Sequence, residues 1–226
     1  LLEIGVEELP YFEVDSAVGQ LRQRIPALLD ELRLAHGDVR VLGTPRRLVV
    51  QVENLAERQA DLEQLVKGPP AQRAYTSDGE PTPAAVGFAR GKGVAVEDLQ
   101  VREIDGGQYV TAVVRQVGRP VLDVLSEALP GLAASLRFEK TMRWNHTNVA
   151  FSRPVRWLLA LFGEQVVPFT YAGLASGRLT YGLRFHQPEE ITLKQPADYF
   201  QALAAQGIIL DGEQRKAHIL AAITSL

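Results

Sequence analysis

The chain begins with LLEIGVEELPYFEVDSAVGQLRQRIPALLDEL (residues 1–32), and this stretch decides the fold class. Residues 1–6 have the composition of a β-strand. From Val14 to Ala35, apolar residues recur at steps of three and four, which predicts one face of an amphipathic helix. Pro26 interrupts that pattern, so we expect a kink or two shorter helices. The stretch therefore predicts a strand followed directly by a helix.

Beyond residue 32, further strand and helix patterns alternate irregularly. Asp105-Gly106-Gly107 between two strand patterns predicts a hairpin. Other strand candidates are residues 39–42, 48–55, 149–151, 155–162, 166–171, 178–185 and 208–210. Hairpins in place of regular β–α–β units predict an α+β fold with mainly antiparallel sheets and one or two subdomains.

The helix boundaries carry clear sequence signals. Thr82 and Pro83 predict the start of a short helix that ends at Gly91 or Gly93. Asp211 predicts the cap of a last helix. Two further helices are expected at residues 120–136 and 196–206.

The segment 67–83 is rich in turn-forming residues, with Gly-Pro-Pro, Ser-Asp-Gly and Pro-Thr-Pro. It predicts a division into residues 1–70 and residues 71–226, with a boundary near Leu136 as the alternative. The last helix pattern has no stop signal before Leu226, so we expect the chain to be a piece of a longer protein.

The composition excludes several classes of function. Hydrophobic residues make up 46% and charged residues 23% of the chain, and there is no cysteine. Thiol catalysis, disulfides and zinc–thiolate sites are therefore excluded. No signal peptide or membrane span is visible, so we expect a cytoplasmic protein that does not contact a membrane.

Charge is distributed unevenly along the chain, although the net charge is only −3. Residues 1–36 hold seven acidic side chains against three arginines, whereas residues 137–184 hold seven basic side chains against two glutamates. Basic side chains interleaved with tryptophan and tyrosine are typical of nucleic-acid surfaces. A solvated basic face over core aromatics is the alternative.

Four patterns resemble catalytic sites, but each lacks the spacing or the setting that catalysis needs. GFARGKG (residues 87–93) has one residue too few for a phosphate-binding loop. The tripeptide RFE (residues 137–139) matches part of a known ATP-binding motif, but it ends an ordinary amphipathic helix. Adjacent Glu7 and Glu8 point to opposite faces of a strand. The histidines are scattered, at His36, His146, His186 and His218. We therefore expect no catalytic residue and no metal ligand.

Two arginine-bearing segments, TPRRL (residues 44–48) and SRPVRWL (residues 152–158), favour binding of an anion, because guanidinium groups suit bidentate phosphate contacts. Arg46 and Arg47 alternate faces as a strand begins. One of them is expected to pair with a carboxylate such as Glu7 or Glu8, which leaves the other for a ligand.

These segments, together with EIGVEELP, KGPP, GFARGKG, MRW, GLRF and DGEQRK, resemble in order and spacing the β subunit of bacterial glycyl-tRNA synthetase. The resemblance covers essentially the whole chain. Two departures are visible, since Asn145 follows MRW where the family usually has glycine, and Leu183 stands where the family has histidine in GHRF.

The resemblance implies an α2β2 assembly with an α subunit, which carries the class II catalytic core and uses ATP and Mg²⁺ to join glycine to tRNA(Gly). It implies that this chain is the N-terminal part of the β subunit, with no cofactor of its own. We expect the chain to contact tRNA, the α subunit or both. Docking of the α subunit without RNA contact and an independent hydrolase or editing activity are the alternatives.

Seven basic residues and one tryptophan of the quoted segments form the predicted RNA contacts. They are Arg46, Arg47, Arg90, Lys92, Arg143, Trp144, Arg153 and Arg156.

Overall fold

The computed structural model describes residues 1–184 and 190–224. The helices are α1 (Tyr11–Glu31), α2 (Ala71–Ala74), α3 (Pro83–Lys92), α4 (Val121–Ser135), α5 (Asp198–Ala205) and α6 (Gly212–Thr224). The strands are β1 (Leu2–Val6), β2 (Val39–Thr44), β3 (Arg47–Val52), β4 (Leu62–Pro70), β5 (Gln100–Ile104), β6 (Gly107–Gln116), β7 (Val155–Phe162), β8 (Gln165–Val166), β9 (Thr170–Tyr171), β10 (Leu174–Gly177), β11 (Leu179–Tyr181) and β12 (Glu190–Thr192). The predicted α+β class is confirmed.

The chain forms two compact units, one from Leu1–Gln59 with Arg119–Leu226 and one from Ala60–Gly118. This division differs from the predicted cut at residue 70, because the second unit is an insertion and the chain returns to the first unit after it. Its first strand, β4, occupies residues that the turn-rich composition assigned partly to a loop. The proline-rich segment therefore lies inside the inserted unit and does not separate two halves.

The main sheet of the first unit has the order β2-β3-β1-β7-β10-β9, and β8 pairs with β7. Its pairs are antiparallel except for β10 with β7. β1 lies between β3 and β7, and all five of its residues are buried. A central strand that is covered on both faces needs such a continuous run of buried residues.

Helices α1 and α4 cover one face of the main sheet. Their apolar stripes pack in one core cluster with the side chains of Ile4, Leu48 and Leu158, which neighbour one another across three strands. Helix α1 continues through Pro26 as one helix, so the prediction of two shorter helices is wrong, and the kink stays a prediction. The flanking Ile25 and Leu29 are buried in this core, and their packing outweighs the one backbone hydrogen bond that proline removes.

The opposite face of the main sheet carries a second apolar cluster. It joins Val49 and Leu159 of the sheet to Tyr199 and Leu203 of α5. Glu3 lies on β1 between Val49 and Leu159 and is fully buried on this same face. A carboxylate therefore sits at the centre of an otherwise apolar layer.

The inserted unit is a three-stranded antiparallel sheet, β4-β6-β5, with α2 and α3 and a small core rich in alanine. The predicted hairpin is confirmed, with β5 and β6 joined at Asp105 and Gly106. Helix α3 ends at Gly93, which adopts the left-handed conformation with φ of 69°. Gly93 is thus the helix stop, and Gly91 lies inside the helix.

Four predicted strands have a different structure. The candidate at 166–171 is divided into β8 and β9, with no strand at residues 167–169. Residues 149–151 contribute only a single bridge, between Met142 and Phe151. Residues 208–210 form no strand, because the Ile208 N–H donates to the Leu203 carbonyl and closes α5. The candidate at 178–185 is β11 alone, and Phe185 lies outside the described residues.

Candidate anion-binding site at the end of the main sheet

Three of the arginine- and glutamate-bearing segments meet at one end of the main sheet. Because β1 is antiparallel to both β3 and β7, the end of β1 lies beside the starts of the other two strands. The Val6 N–H donates to the Arg46 carbonyl at 2.8 Å, and the Glu7 N–H donates to the Pro154 carbonyl at 2.9 Å. EELP, TPRRL and SRPVRWL are therefore neighbours in space, although more than a hundred residues separate the first from the last.

Exposed ion pairs form the surface of this end. Glu7 lies 2.9 Å from Nη1 of Arg184 and 3.5 Å from Nε of Arg156. Glu8 lies 3.1 Å from the same Nη1 of Arg184. Because the two arginines are 50% and 60% exposed, solvent screens these contacts and the guanidinium groups stay accessible. We name Glu7, Glu8, Arg46, Arg156 and Arg184 the arginine cluster.

Arg46 is the half-buried member of the arginine cluster. Its Cζ lies 5.8 Å from the centre of the Trp157 ring, within the range of a cation–π contact. Its Nε and Nη1 are buried and have no hydrogen-bond acceptor among the described residues. Burial, followed by the charge of Arg47, lowers the pKa of Arg46, and Glu7 opposes that shift. The cluster thus contains a guanidinium that is only partly satisfied by the protein.

Arg47 lies beneath the surface and not on it. Its guanidinium is 2% exposed, and its Nη1 lies 3.3 Å from Oε1 of Glu3, whose side chain is 0% exposed. Arg47 also donates to Thr180 Oγ1 at 3.3 Å and to the Tyr181 carbonyl at 2.7 Å. This corrects the sequence interpretation, because Arg47 is held by Glu3 and is removed from the predicted RNA contacts. The expected carboxylate partner is Glu3 and not Glu7 or Glu8.

The buried pair is surrounded by polar hydrogens. Burial raises the pKa of Glu3, whereas the charge of Arg47 and the neighbouring Thr180, Trp157 and Tyr199 side chains lower it. The Trp157 indole and the Tyr199 hydroxyl lie beside this carboxylate without reaching hydrogen-bonding geometry. Burial, together with the charge of Glu3, raises the pKa of Tyr199 well above its ordinary range. These groups make a buried polar centre that ties β1, β3, β7, β11 and α5 together.

Gly5 allows the aromatic part of this centre to form. Gly5 lies between Arg47 and Trp157 in the register of the three central strands. The Trp157 ring lies directly over Gly5, so a Cβ at that position would overlap the ring. Arg47 in turn lies over the ring, with its Cζ 5.5 Å from the ring centre. The glycine is therefore required by a close approach and not by a turn.

The remaining predicted RNA contacts are spread over both units. Arg143 is exposed and donates to the Asn148 carbonyl at 3.2 Å, and Arg153 is half-buried and donates to the Ser152 carbonyl at 2.8 Å. Trp144 packs against the main core. Arg90 and Lys92 are exposed in the last turn of α3, in the inserted unit. Whether these residues contact RNA stays a prediction.

The family described as glycyl-tRNA synthetase beta subunit matches residues 1–226. The chain belongs to this family. It is 46% identical to the glycine–tRNA ligase beta subunit of Desulforamulus reducens over 216 residues, which cover 96% of this chain and 31% of that protein. It is 40% identical to the Bacillus subtilis beta subunit over 96% of this chain and 32% of that protein. It is also 44% identical to a chloroplastic/mitochondrial glycine–tRNA ligase of Arabidopsis thaliana, over 97% of this chain and 20% of that protein.

This glycyl-tRNA synthetase beta-subunit chain thus spans about a third of the length of its bacterial relatives. Within residues 1–184 and 190–224, no group of three or more His, Asp or Glu side chains could hold a metal ion. Over the same residues, every helix is too short or too polar to cross a membrane.

The predicted RNA contacts did not include two arginines of this beta-subunit chain, although Arg184 belongs to the basic segment 137–184. Arg184 belongs to the GLRF segment and joins the arginine cluster through Glu7 and Glu8. Arg215 begins the second turn of α6 and donates to the Ile209 carbonyl at 2.8 Å. Both arginines belong to segments on which the family resemblance rests, Arg184 to GLRF and Arg215 to DGEQRK. Their spacing in the sequence does not indicate that they lie at one sheet end with Glu8.

Asn145, which stands where the family usually has glycine, organises the loop after MRW. Its Nδ2 donates to the Ala172 carbonyl at 2.7 Å, and its Oδ1 accepts from the Thr147 N–H and hydroxyl at 3.1 Å and 2.6 Å. The side chain thus stabilises the turn.

Proposed function

We propose that this chain is the N-terminal, non-catalytic part of the beta subunit of a glycine–tRNA ligase and that it holds tRNA through the arginine cluster. In this proposal the α subunit carries out ATP- and Mg²⁺-dependent glycyl-tRNA synthesis within an α2β2 assembly in the cytoplasm. The chain positions tRNA(Gly) for that reaction and needs no cofactor of its own.

One observation carries the proposal, namely the excess of accessible positive charge at one sheet end. Arg46, Arg156 and Arg184 stand there against Glu7 and Glu8, and Arg153 lies in the same segment as Arg156. Half-exposed guanidinium groups can exchange a carboxylate partner for a phosphate, because solvent-exposed ion pairs contribute little to stability. Phosphate contacts of this kind supply most of the salt-dependent affinity for nucleic acids.

The test is charge reversal away from the buried pair. We expect Arg153→Glu with Arg156→Glu in the complete synthetase to weaken tRNA binding about tenfold or more. The slope of log affinity against log salt should fall by about 1.4–1.8, since each lost phosphate contact removes roughly 0.7–0.9.

Lys194→Glu provides a matched control. Lys194 lies near the opposite end of β7. The Arg178 guanidinium donates to the Lys194 carbonyl and to the carbonyl of Glu164, which follows the end of β7. Unchanged affinity and slope in the double variant, or an equal loss in the control, would refute RNA binding at the arginine cluster.

A docking role for the α subunit is the second candidate, and an exposed aromatic pair favours it. Tyr11 and Phe12 follow EELP at the start of α1, are 78% and 45% exposed, and contact each other edge to face with ring centres 5.7 Å apart. Exposed aromatic residues are enriched at protein interfaces. The test is a beta subunit with Tyr11→Ser and Phe12→Ser. Docking is supported if the α subunit no longer copurifies with this variant while the variant's affinity for tRNA is unchanged.

A further inference from the structure

A cleft of about 390 Å³ lies between the turn Thr44–Arg47 and residues 207–209 of the first unit. Besides Arg47, which the buried Glu3 holds, Arg46, Arg184 and Arg215 line it, and Glu8 is the carboxylate of the lining. The volume falls within the range of small-ligand pockets, roughly 300–1,000 Å³. A concave site with three guanidinium groups and one carboxylate has room and charge for an oxyanion.

The protein alone does not provide acceptors for all the guanidinium donors of the cleft. Arg184 is satisfied by Glu7 and Glu8, and Arg215 by the Ile209 carbonyl. Arg46 keeps two buried nitrogens, Nε and Nη1, without an acceptor among the described residues. Buried donors of this kind are nearly always paired, so Arg46 is the member of the lining whose donors still need an acceptor from water or a ligand.

The rest of the lining is apolar. Pro45, Leu183, Ile208 and Ile209 contribute to the walls, and Leu183 is 40% exposed. Apolar walls suit the flat faces of a nucleotide base, which stack on apolar and aromatic side chains when the base is unpaired. A base inside a duplex is stacked between its neighbours and cannot enter such a cleft.

We propose that this cleft binds one unpaired nucleotide of RNA, with its phosphate at Arg46, Arg184 and Arg215 and its base against Leu183 and Ile208. The proposal rests on the proposed tRNA-binding function and names the part of the RNA that is recognised. It separates the arginine cluster into an outer part that meets phosphates at the surface and an inner part that accepts a single nucleotide.

Photochemical crosslinking in the complete synthetase tests this assignment. A benzophenone side chain is introduced at position 183, and the control carries it at position 179, where Leu179 is similarly exposed at 36% but does not line the cleft. With tRNA as the probe, we expect position 183 to crosslink to an unpaired nucleotide and position 179 to give at least fivefold less product. A crosslink to a base-paired nucleotide, to a protein chain, or no crosslink above the control would overturn the proposal.

Substitutions give a second readout with the same matched pair. Leu183→Asp places a negative charge in the cleft and should weaken tRNA binding at least threefold, whereas Leu179→Asp should leave it unchanged. Arg215→Gln should also weaken binding at least threefold.

The two proposals fail separately in these experiments. If the Arg153→Glu, Arg156→Glu variant binds tRNA more weakly while Leu183→Asp and Leu179→Asp have the same tRNA affinity, the proposed tRNA-binding function stands and the nucleotide cleft is refuted. If the Arg153→Glu, Arg156→Glu variant binds tRNA as tightly as the wild type, the proposed function itself is refuted.

Discussion

Glu3 and Arg47 form an ion pair of 3.3 Å between Oε1 and Nη1, and both side chains are shielded from solvent. The pair joins adjacent strands and, through the Tyr181 carbonyl, also holds the strand that precedes Arg184. The second arginine of TPRRL therefore positions the surface without being part of it. Removal of either charge would leave the other buried and uncompensated.

We expect Arg47→Met to lower the free energy of unfolding by about 3–5 kcal/mol, because Glu3 would lose its buried partner. Glu3→Leu combined with Arg47→Met should recover much of that loss, since two apolar side chains carry no desolvation cost. Urea unfolding measures both. The control is Arg115→Met, which breaks an exposed pair with Glu63 and should cost no more than about 1 kcal/mol. Equal losses at the two sites would contradict the prediction.

The stability of the chain should depend on pH through Glu3. Burial raises the pKa of Glu3 above its ordinary value of 4.5, so the folded state holds that proton at a pH where the unfolded state has released it. The contribution of Glu3 to the free energy of unfolding is therefore fully present below pH 4.5. It decreases as the pH rises from 4.5 towards the pKa that Glu3 has in the folded state. The difference in unfolding free energy between wild type and Glu3→Gln, followed from pH 4 upwards, should show this decrease. A difference that grows in favour of the wild type with rising pH would show that the pKa is lowered.

Gly5→Ala should destabilise the main sheet by about 1–3 kcal/mol or more, because the new methyl group overlaps the Trp157 ring. Gly19→Ala is the control, since Gly19 lies within α1 and a Cβ there meets no atom within 4 Å. That control should stabilise the chain by roughly 0.5–1 kcal/mol. Melting temperatures of the two variants check the prediction, and a Gly5→Ala protein as stable as wild type would refute the close approach.

Glu7→Gln should raise the affinity of the complete synthetase for tRNA about threefold at low salt. Glu7 contacts both Arg156 and Arg184, so its neutralisation frees Arg156 and leaves Glu8 as the one carboxylate described beside Arg184. The gain should shrink at higher salt because surface electrostatics are screened. Glu127→Gln, which alters an exposed pair with Arg119 on α4, is the control. Weaker tRNA binding by Glu7→Gln would show that the carboxylate itself contributes to the site.

Local signals predicted most of the regular structure. Pro83 and Gly93 bound α3, and the Asp211 carboxylate accepts from the Glu213 and Gln214 N–H groups at the start of α6. These predictions succeed because caps and turns depend on neighbouring residues. The apolar triplet Val149–Phe151 was wrongly predicted to be a strand. Phe151 is buried in the core, but the segment makes a single bridge to Met142 and no strand pairing.

The site itself could be predicted only in part. Arg46 and Arg156 were predicted as RNA contacts from their segments, and the structure brings them to one sheet end, which the segments alone did not indicate. Arg47 is buried because it lies on the same face as Glu3 and diagonally across from it, since Arg47 pairs with Gly5 and Glu3 pairs with Val49 in the register of β1 and β3. That pairing, like the return of Arg184 and Arg215 to the same end, is set by long-range register, which a sequence pattern of short segments does not contain.

The inserted unit leaves and rejoins the first unit at a closed stem. Arg58 bridges to Pro120, the Gln59 N–H donates to the Arg119 carbonyl at 3.0 Å, and the Val121 N–H donates to the Glu57 carbonyl at 2.8 Å. The stem fixes the two ends of Ala60–Gly118 next to each other, so the entropy of closing a loop of roughly 60 residues, on the order of 3–4 kcal/mol, is borne by contacts of the first unit. The inserted unit can therefore become longer or shorter, or be replaced, during evolution without a change in the strand order of the main sheet.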